Sequence, residues 1–125
     1  MRGGHSIKIL VAEGNELLAE AIGDLFAEAN EGRPVLTARN VSETVDVARR
    51  ESPDLVVIDH WIGHDNVEGA VRAVLAEAPR SAVYVMTTRV DETTESRIRS
   101  LGARCIDKEA LHDRARELVQ SVRHP

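Results

Sequence analysis

The chain has 125 residues, is 42% hydrophobic and 30% charged, and carries a formal net charge of −5. That describes one ordinary globular domain with enough apolar material for a core, not a disordered chain and not a basic nucleic-acid surface. The single cysteine, Cys105, excludes an internal disulfide and suits a reducing cytoplasm, and no apolar run nears the roughly 20 residues needed to cross a bilayer.

The polar opening, residues 1–6, has no signal-peptide core and reads as a flexible lead-in to a single domain over 7–123. Residues 7–11 are a short apolar run, the first expected strand. From 16 to 29, Leu17, Leu18, Ala21, Ile22, Leu25 and Phe26 recur at helical spacing and predict one apolar stripe. Gly32, Arg33 and Pro34 break that helix. Residues 35–38 form a weak second strand. Asn40 is placed to cap a second helix through 52, with Glu43 as its reciprocal partner and Val41, Val45, Val47 and Ala48 on its inner side.

Pro53 closes the second helix. Leu55, Val56, Val57 and Ile58 then read as a strand buried on both faces, ending in the carboxylate of Asp59. A third helix is expected over 67–78, with Val71, Val74 and Leu75 inward. A fourth strand is expected over 82–86. The fourth helix, 92–101, is polar apart from Ile98 and Leu101, and Gly102 is its left-handed cap. Residues 104–106 make a short fifth strand. The last helix, 110–122, aligns Leu111, Ala115, Leu118, Val119 and Val122. Strands alternating with helices predict parallel strands joined by right-handed crossovers, an α/β doubly wound sheet with helices on both faces.

In such a sheet every C-terminal strand end points to one edge, where ligands gather. Glu13 comes after the first strand, Asp59 ends the third, Thr87 and Thr88 come after the fourth, and Lys108 after the fifth. Phosphoryl transfer to a carboxylate needs such a set: a nucleophilic acid, further acids for a divalent cation, and a hydroxyl and an ammonium for the remaining phosphoryl oxygens. Lys108 is one of only two lysines, and Trp61, one of three aromatic residues, lies in the loop beside Asp59 as a partner anchor or a lid. His60 and His64 have no third ligand at metal-site spacing, and no glycine-rich dinucleotide turn stands after the first strand.

Several short motifs in this order resemble the receiver domain of bacterial two-component response regulators: Lys8-Ile9-Leu10-Val11, Leu17-Leu18, Pro53-Asp54 leading to Asp59, Val85-Met86-Thr87-Thr88, and Leu101-Gly102-Ala103 leading to Lys108. The resemblance spans about residues 7 to 122. It implies a flavodoxin-like, five-stranded parallel sheet in the order 2-1-3-4-5 with five helices in three layers. It also implies Asp59 as phosphoacceptor, Thr87 and Lys108 as readers of the phosphoryl group, and Glu13, Asp59 and the Trp61 backbone carbonyl as metal ligands. The implied partners are a sensor histidine kinase or phosphotransfer protein and a downstream protein, with a homodimer through the face from the fourth to the fifth helix. No enzymatic activity is expected beyond self-catalysed phosphoryl transfer to Asp59 and its hydrolysis. The chain ends soon after the last helix, so direct nucleic-acid contact is not expected.

The departures from the pattern define an atypical member. Gly14 stands where receivers carry a second acid, the direct metal ligand. Loss of even an indirect partner costs about 10- to 100-fold in metal affinity, so Mg²⁺ is expected to bind weakly. Ile62-Gly63 and Asn66-Val67 replace the usual loop motifs, Thr88 stands at a position that is commonly small, and Cys105 falls where an aromatic switch residue is usual. Two functions are therefore weighed: a signalling receiver with weak or absent phosphorylation, and a pseudo-receiver that binds partners without phosphorylation.

Overall fold

The computed structural model describes residues 7–62, 64, 67–88 and 90–123. The expected lead-in, 1–6, and Gly63, Asp65, Asn66, Arg89, His124 and Pro125 lie outside the described residues. In chain order the elements are β1 (Ile9–Ala12), α1 (Glu16–Ala29), β2 (Leu36–Ala38), α2 (Val41–Glu51), β3 (Leu55–Asp59), α3 (Val67–Glu77), β4 (Ala82–Thr87), α4 (Glu92–Ser100), β5 (Arg104–Asp107), a 3₁₀ turn (Lys108–Ala110) and α5 (Leu111–Arg123). The strands pair in parallel in the order β2-β1-β3-β4-β5, as the resemblance implies.

Alternation along the central strands divides the core in two. Ile9, Val11, Leu55 and Val57 face α1 and α5, where they meet Ile22, Phe26, Leu111, Leu118 and Val119. Leu10, Ala12, Val56 and Ile58 face α2, α3 and α4, where they meet Ala48, Val71, Val74 and Ile98. Every residue of β1 and β3 is buried, which explains why these strands read as unbroken apolar runs and not as alternating ones.

Local signals set most boundaries. Asn15 caps α1 by accepting from the Leu18 N–H at 2.9 Å, and Asn40 caps α2 by accepting from the Glu43 N–H at 2.8 Å. Asp91 does the same for α4 through the Thr94 N–H. Each such cap is worth about 1 kcal/mol. Ser52 ends α2 in the left-handed region at φ 46°, and Gly102 stands just past α4 at φ 93°, the conformation expected of it.

The α1 stripe differs from the sequence expectation. Ala19, Ile22, Gly23 and Phe26 are its buried residues, whereas Leu17 is 79% exposed and Leu18 and Ala21 are also exposed. At 100° per residue Leu17 stands about 180° around the helix from Phe26, so the two cannot share a face. The smaller residues Ala19 and Gly23 pack inward in its place. In α2 the buried residues are Thr44 and Ala48, while Val41, Val45 and Val47 are only half-buried. The Thr44 hydroxyl is satisfied within the helix, donating to the Asn40 carbonyl at 2.7 Å.

Candidate functional site

The register aligns the site. Ala12 pairs with Ile58, so the next residues, Glu13 and Asp59, stand side by side where β1 and β3 end. Asp59 pairs with Met86, which sets Thr87 one step further along β4, and Thr87 pairs with Asp107, the residue before Lys108. Four of the residues singled out from the sequence are thus delivered to one edge by strand pairing alone. Glu13, Asp59 and Thr87 are buried, 4%, 6% and 7% exposed.

Lys108 joins the two carboxylates. Its Nζ lies 2.6 Å from Asp59 Oδ1 and 3.1 Å from Glu13 Oε1. The second contact joins charges without an aligned hydrogen bond, and Glu13 Oε1 has no other partner among the described residues. The remaining oxygens are held by backbone: the Trp61 N–H donates to Asp59 Oδ2 and the Asn15 N–H to Glu13 Oε2, each at 3.1 Å. Burial alone lowers the Lys108 pKa. The contacts with Asp59 and then Glu13, together with their negative charge, outweigh burial and hold the ammonium above its ordinary 10.5.

Trp61 contributes backbone to the site and side chain to solvent. Its carbonyl accepts from the His64 N–H at 2.9 Å, and its indole is 63% exposed, with the His60 ring edge-on at 5.0 Å. It is therefore not folded over Asp59. Thr88 is exposed and Gly14 is exposed. Neither of the two residues that follow Gly14 supplies the missing acid: the Asn15 side chain is engaged as the α1 cap, and Glu16 is exposed in the first helical turn. Cys105 is buried under α4, where its N–H donates to Glu95 Oε2 at 3.0 Å. Burial, then the Glu95 charge, pushes its thiol up to about 11, so it stays protonated and unreactive at neutral pH.

One site neighbour was missed. Arg39 comes directly after β2 and so reaches the same edge, where its Nε lies 3.4 Å from the Gly14 carbonyl. The same rule that found Glu13 and Lys108, inspecting the residue just past each strand, identifies it once β2 is included.

The donors suit a divalent cation poorly. Mg²⁺ wants an octahedron of oxygens built on one or two free carboxylates. Here both carboxylates already share an ammonium, and among the described residues no group of three or more His, Cys, Asp or Glu side chains could hold a metal ion.

No protein-family model matches the chain. It is 29% identical over 100 residues to the Mycobacterium tuberculosis protein described as "Probable transcriptional regulatory protein TcrX", covering 80% of this chain and 41% of that protein. It is 25% identical over 101 residues to protein-glutamate methylesterase/protein-glutamine glutaminase 2 of Nitratidesulfovibrio vulgaris, covering 81% of this chain and 27% of that one. The chain thus spans less than half the length of these relatives. Among solved structures, a response regulator from Thermotoga maritima superposes with a TM-score of 0.82 at 24% identity, covering 97% of this chain and all of that one. A Burkholderia pseudomallei response regulator with a phosphorylated aspartic acid, a calcium ion and citrate gives a TM-score of 0.75 at 20% identity, covering 95% of this chain and 75% of that one.

The fold is that of response-regulator receiver domains, flavodoxin-like and three-layered. Among the described residues no helix is long and apolar enough to cross a membrane.

Proposed function

We propose that this chain is an atypical two-component receiver in which Asp59 is the phosphoacceptor position. The observation that carries the reading is the Asp59 carboxylate itself, fixed by the Lys108 ammonium at 2.6 Å on one oxygen and the Trp61 N–H at 3.1 Å on the other. A carboxylate so oriented can attack the phosphorus of a phosphohistidine on a sensor kinase or phosphotransfer protein. The P–N bond breaks, the imidazole leaves with its electron pair, and an acyl phosphate forms. Lys108 and Thr87 then bind the phosphoryl oxygens. No other enzymatic activity is assigned. Glu13, Asp59 and the Trp61 carbonyl hold Mg²⁺ weakly. Output runs through protein contacts with a downstream partner, and through a homodimer on the face formed by α4, β5 and α5, in a reducing cytoplasm and without direct nucleic-acid binding.

A second reading, a pseudo-receiver that binds partners without phosphorylation, is favoured by Gly14 and by the ammonium already shared between the two carboxylates. Incubation with a small-molecule phosphodonor and intact-mass measurement separates the two. The receiver reading expects an incomplete gain of roughly 80 Da that disappears in Asp59→Ala. No gain, with a cognate kinase as donor, leaves the pseudo-receiver. A gain that persists in Asp59→Ala removes Asp59 from the role.

A further inference from the structure

We infer that the free edge of β2, together with the groove between it and α1, is a docking surface for a basic, extended segment of a partner protein. That segment adds to the sheet as a strand beside β2. The surface is separate from the Asp59 carboxylate, and the inference does not depend on phosphoryl transfer.

Three observations carry it. First, β2 is the outermost strand on its side of the sheet, so one of its edges has no strand beside it. The Ala38 carbonyl accepts from the Glu13 N–H at 3.0 Å, so Ala38 and, two residues back, Leu36 turn their peptide groups toward β1. Thr37 between them turns its N–H and carbonyl outward, and it is exposed. Second, α1 leaves room above that edge. A groove of about 410 Å³ is floored by Ala19, Gly23 and Ala27 of α1 and walled by Val35 and Thr37. The three small residues recur every four positions and so share one face of the helix. Gly23 is buried, yet a Cβ there would meet nothing within 4 Å. Third, the rim is acidic. Glu16, Glu20 and Asp24 line the groove and are exposed, and among the described residues none of the three is in an ion pair. Arg39, also on the lining, is turned to the Gly14 carbonyl at 3.4 Å.

These features fit one kind of occupant. A strand beside β2 takes the outward peptide groups of Thr37 as hydrogen-bond partners, and every second side chain of that strand enters the groove. Arg or Lys suits those positions. The methylene stem covers Ala19, Gly23 and Ala27, and the charged head reaches the carboxylates at the rim. An acidic segment is repelled there. A second copy of the chain, pairing β2 antiparallel to β2, brings its own Glu16, Glu20 and Asp24 to the same face of the joined sheet, acid against acid.

The experiment is fluorescence anisotropy with two labelled peptides of about nine residues, one alternating Val and Arg and the other alternating Val and Glu, titrated with the whole chain. The Val-Arg peptide is expected to bind saturably below about 1 mM, at least about ten-fold tighter than the Val-Glu peptide. Two variants separate strand addition from diffuse attraction to an acidic protein, because neither changes the charge. Thr37→Pro removes the outward N–H and no bond to β1. Gly23→Leu fills the groove from its floor. Each is expected to weaken the Val-Arg peptide at least about ten-fold. In the unsubstituted protein the Thr37 amide is expected to exchange more slowly with solvent when that peptide is bound. Absence of saturable Val-Arg binding would overturn the inference, as would binding that either folded variant leaves unchanged. If Thr37→Pro does not fold, Gly23→Leu and the Thr37 amide decide. A dimer in sedimentation that Thr37→Pro converts to a monomer would overturn it in favour of a second copy on this edge.

Discussion

The chain's two lysines sit at opposite edges of the same sheet, and each meets carboxylates. Lys8, at the edge where β1 begins, contacts Glu51 at 3.1 Å with side chains 55% and 33% exposed. Lys108, at the edge where β5 ends, contacts Glu13 and Asp59 with its side chain 19% exposed and theirs 5% and 8%. The distances are alike and the burial is not. At the Lys8 edge the chain is held by bonds from backbone N–H groups, Asp54 N–H to the Lys8 carbonyl at 2.8 Å and Lys8 N–H to the Asp54 side-chain Oδ2 at 2.8 Å, so the ammonium is dispensable. At the Lys108 edge the strands have ended, and side-chain charge takes over the joining of β1, β3 and the approach to α5. Water screens the first pair and barely reaches the second.

The largest effect expected from this contrast is at Lys108. Lys108→Met leaves two buried carboxylates without a counter-charge and is expected to cost about 3 kcal/mol, read as the loss in urea-unfolding free energy at constant m-value. The same residue sets an alkaline limit. Its folded pKa is raised, so its contribution is fully present below its ordinary value and is lost as the pH climbs above 10.5 through the raised one. Unfolding followed over that alkaline range should show this loss in the unsubstituted protein and not in Lys108→Met.

Next comes Asn30, which is fully buried. Its Nδ2 donates to the Ile7 carbonyl at 2.9 Å, and its Oδ1 accepts from Arg123 Nη2 at 2.8 Å, tying the end of α5 to the start of the sheet. Asn30→Ala strands a carbonyl and a nearly buried guanidinium, and a loss of about 2 kcal/mol is expected by thermal or urea unfolding. The smallest effect is at Lys8. Lys8→Ala should change stability by no more than about 0.5–1 kcal/mol, and that difference should shrink in high salt. A Lys8 effect equal to that of Lys108 would erase the distinction between the two edges.

The sheet and the site lay open in the sequence for different reasons. Leu55–Asp59 and Glu16–Ala29 are bounded by strong local signals, and both ranges are as the sequence predicts. Glu13, Asp59, Thr87 and Lys108 were found because one topological rule, ligands at the C-terminal strand ends, needs only the strand ends. What was hidden depends on distance along the chain. Asn30 reads as a helix terminus, and its partner Arg123 is 93 residues away. The inner face of α1 was misjudged because two overlapping sets of residues share helical spacing. Only packing against α5 and the sheet selects the set with Ala19 and Gly23 over that with Leu17 and Leu18. The bridging position of Lys108 was likewise hidden, since spacing brings a side chain to an edge but does not say which of two acids it meets.

The central claim is that Lys108 is the buried counter-charge shared by Glu13 and Asp59, with Asp59 as the acceptor position. Its most direct test is the phosphodonor reaction run twice, once with about 10 mM Mg²⁺ and once with a chelator, with the fraction of protein gaining roughly 80 Da read by intact mass. The account predicts an incomplete gain at Asp59 with Mg²⁺ that falls only modestly with the chelator. A gain that goes to completion with Mg²⁺ and vanishes with the chelator would contradict it.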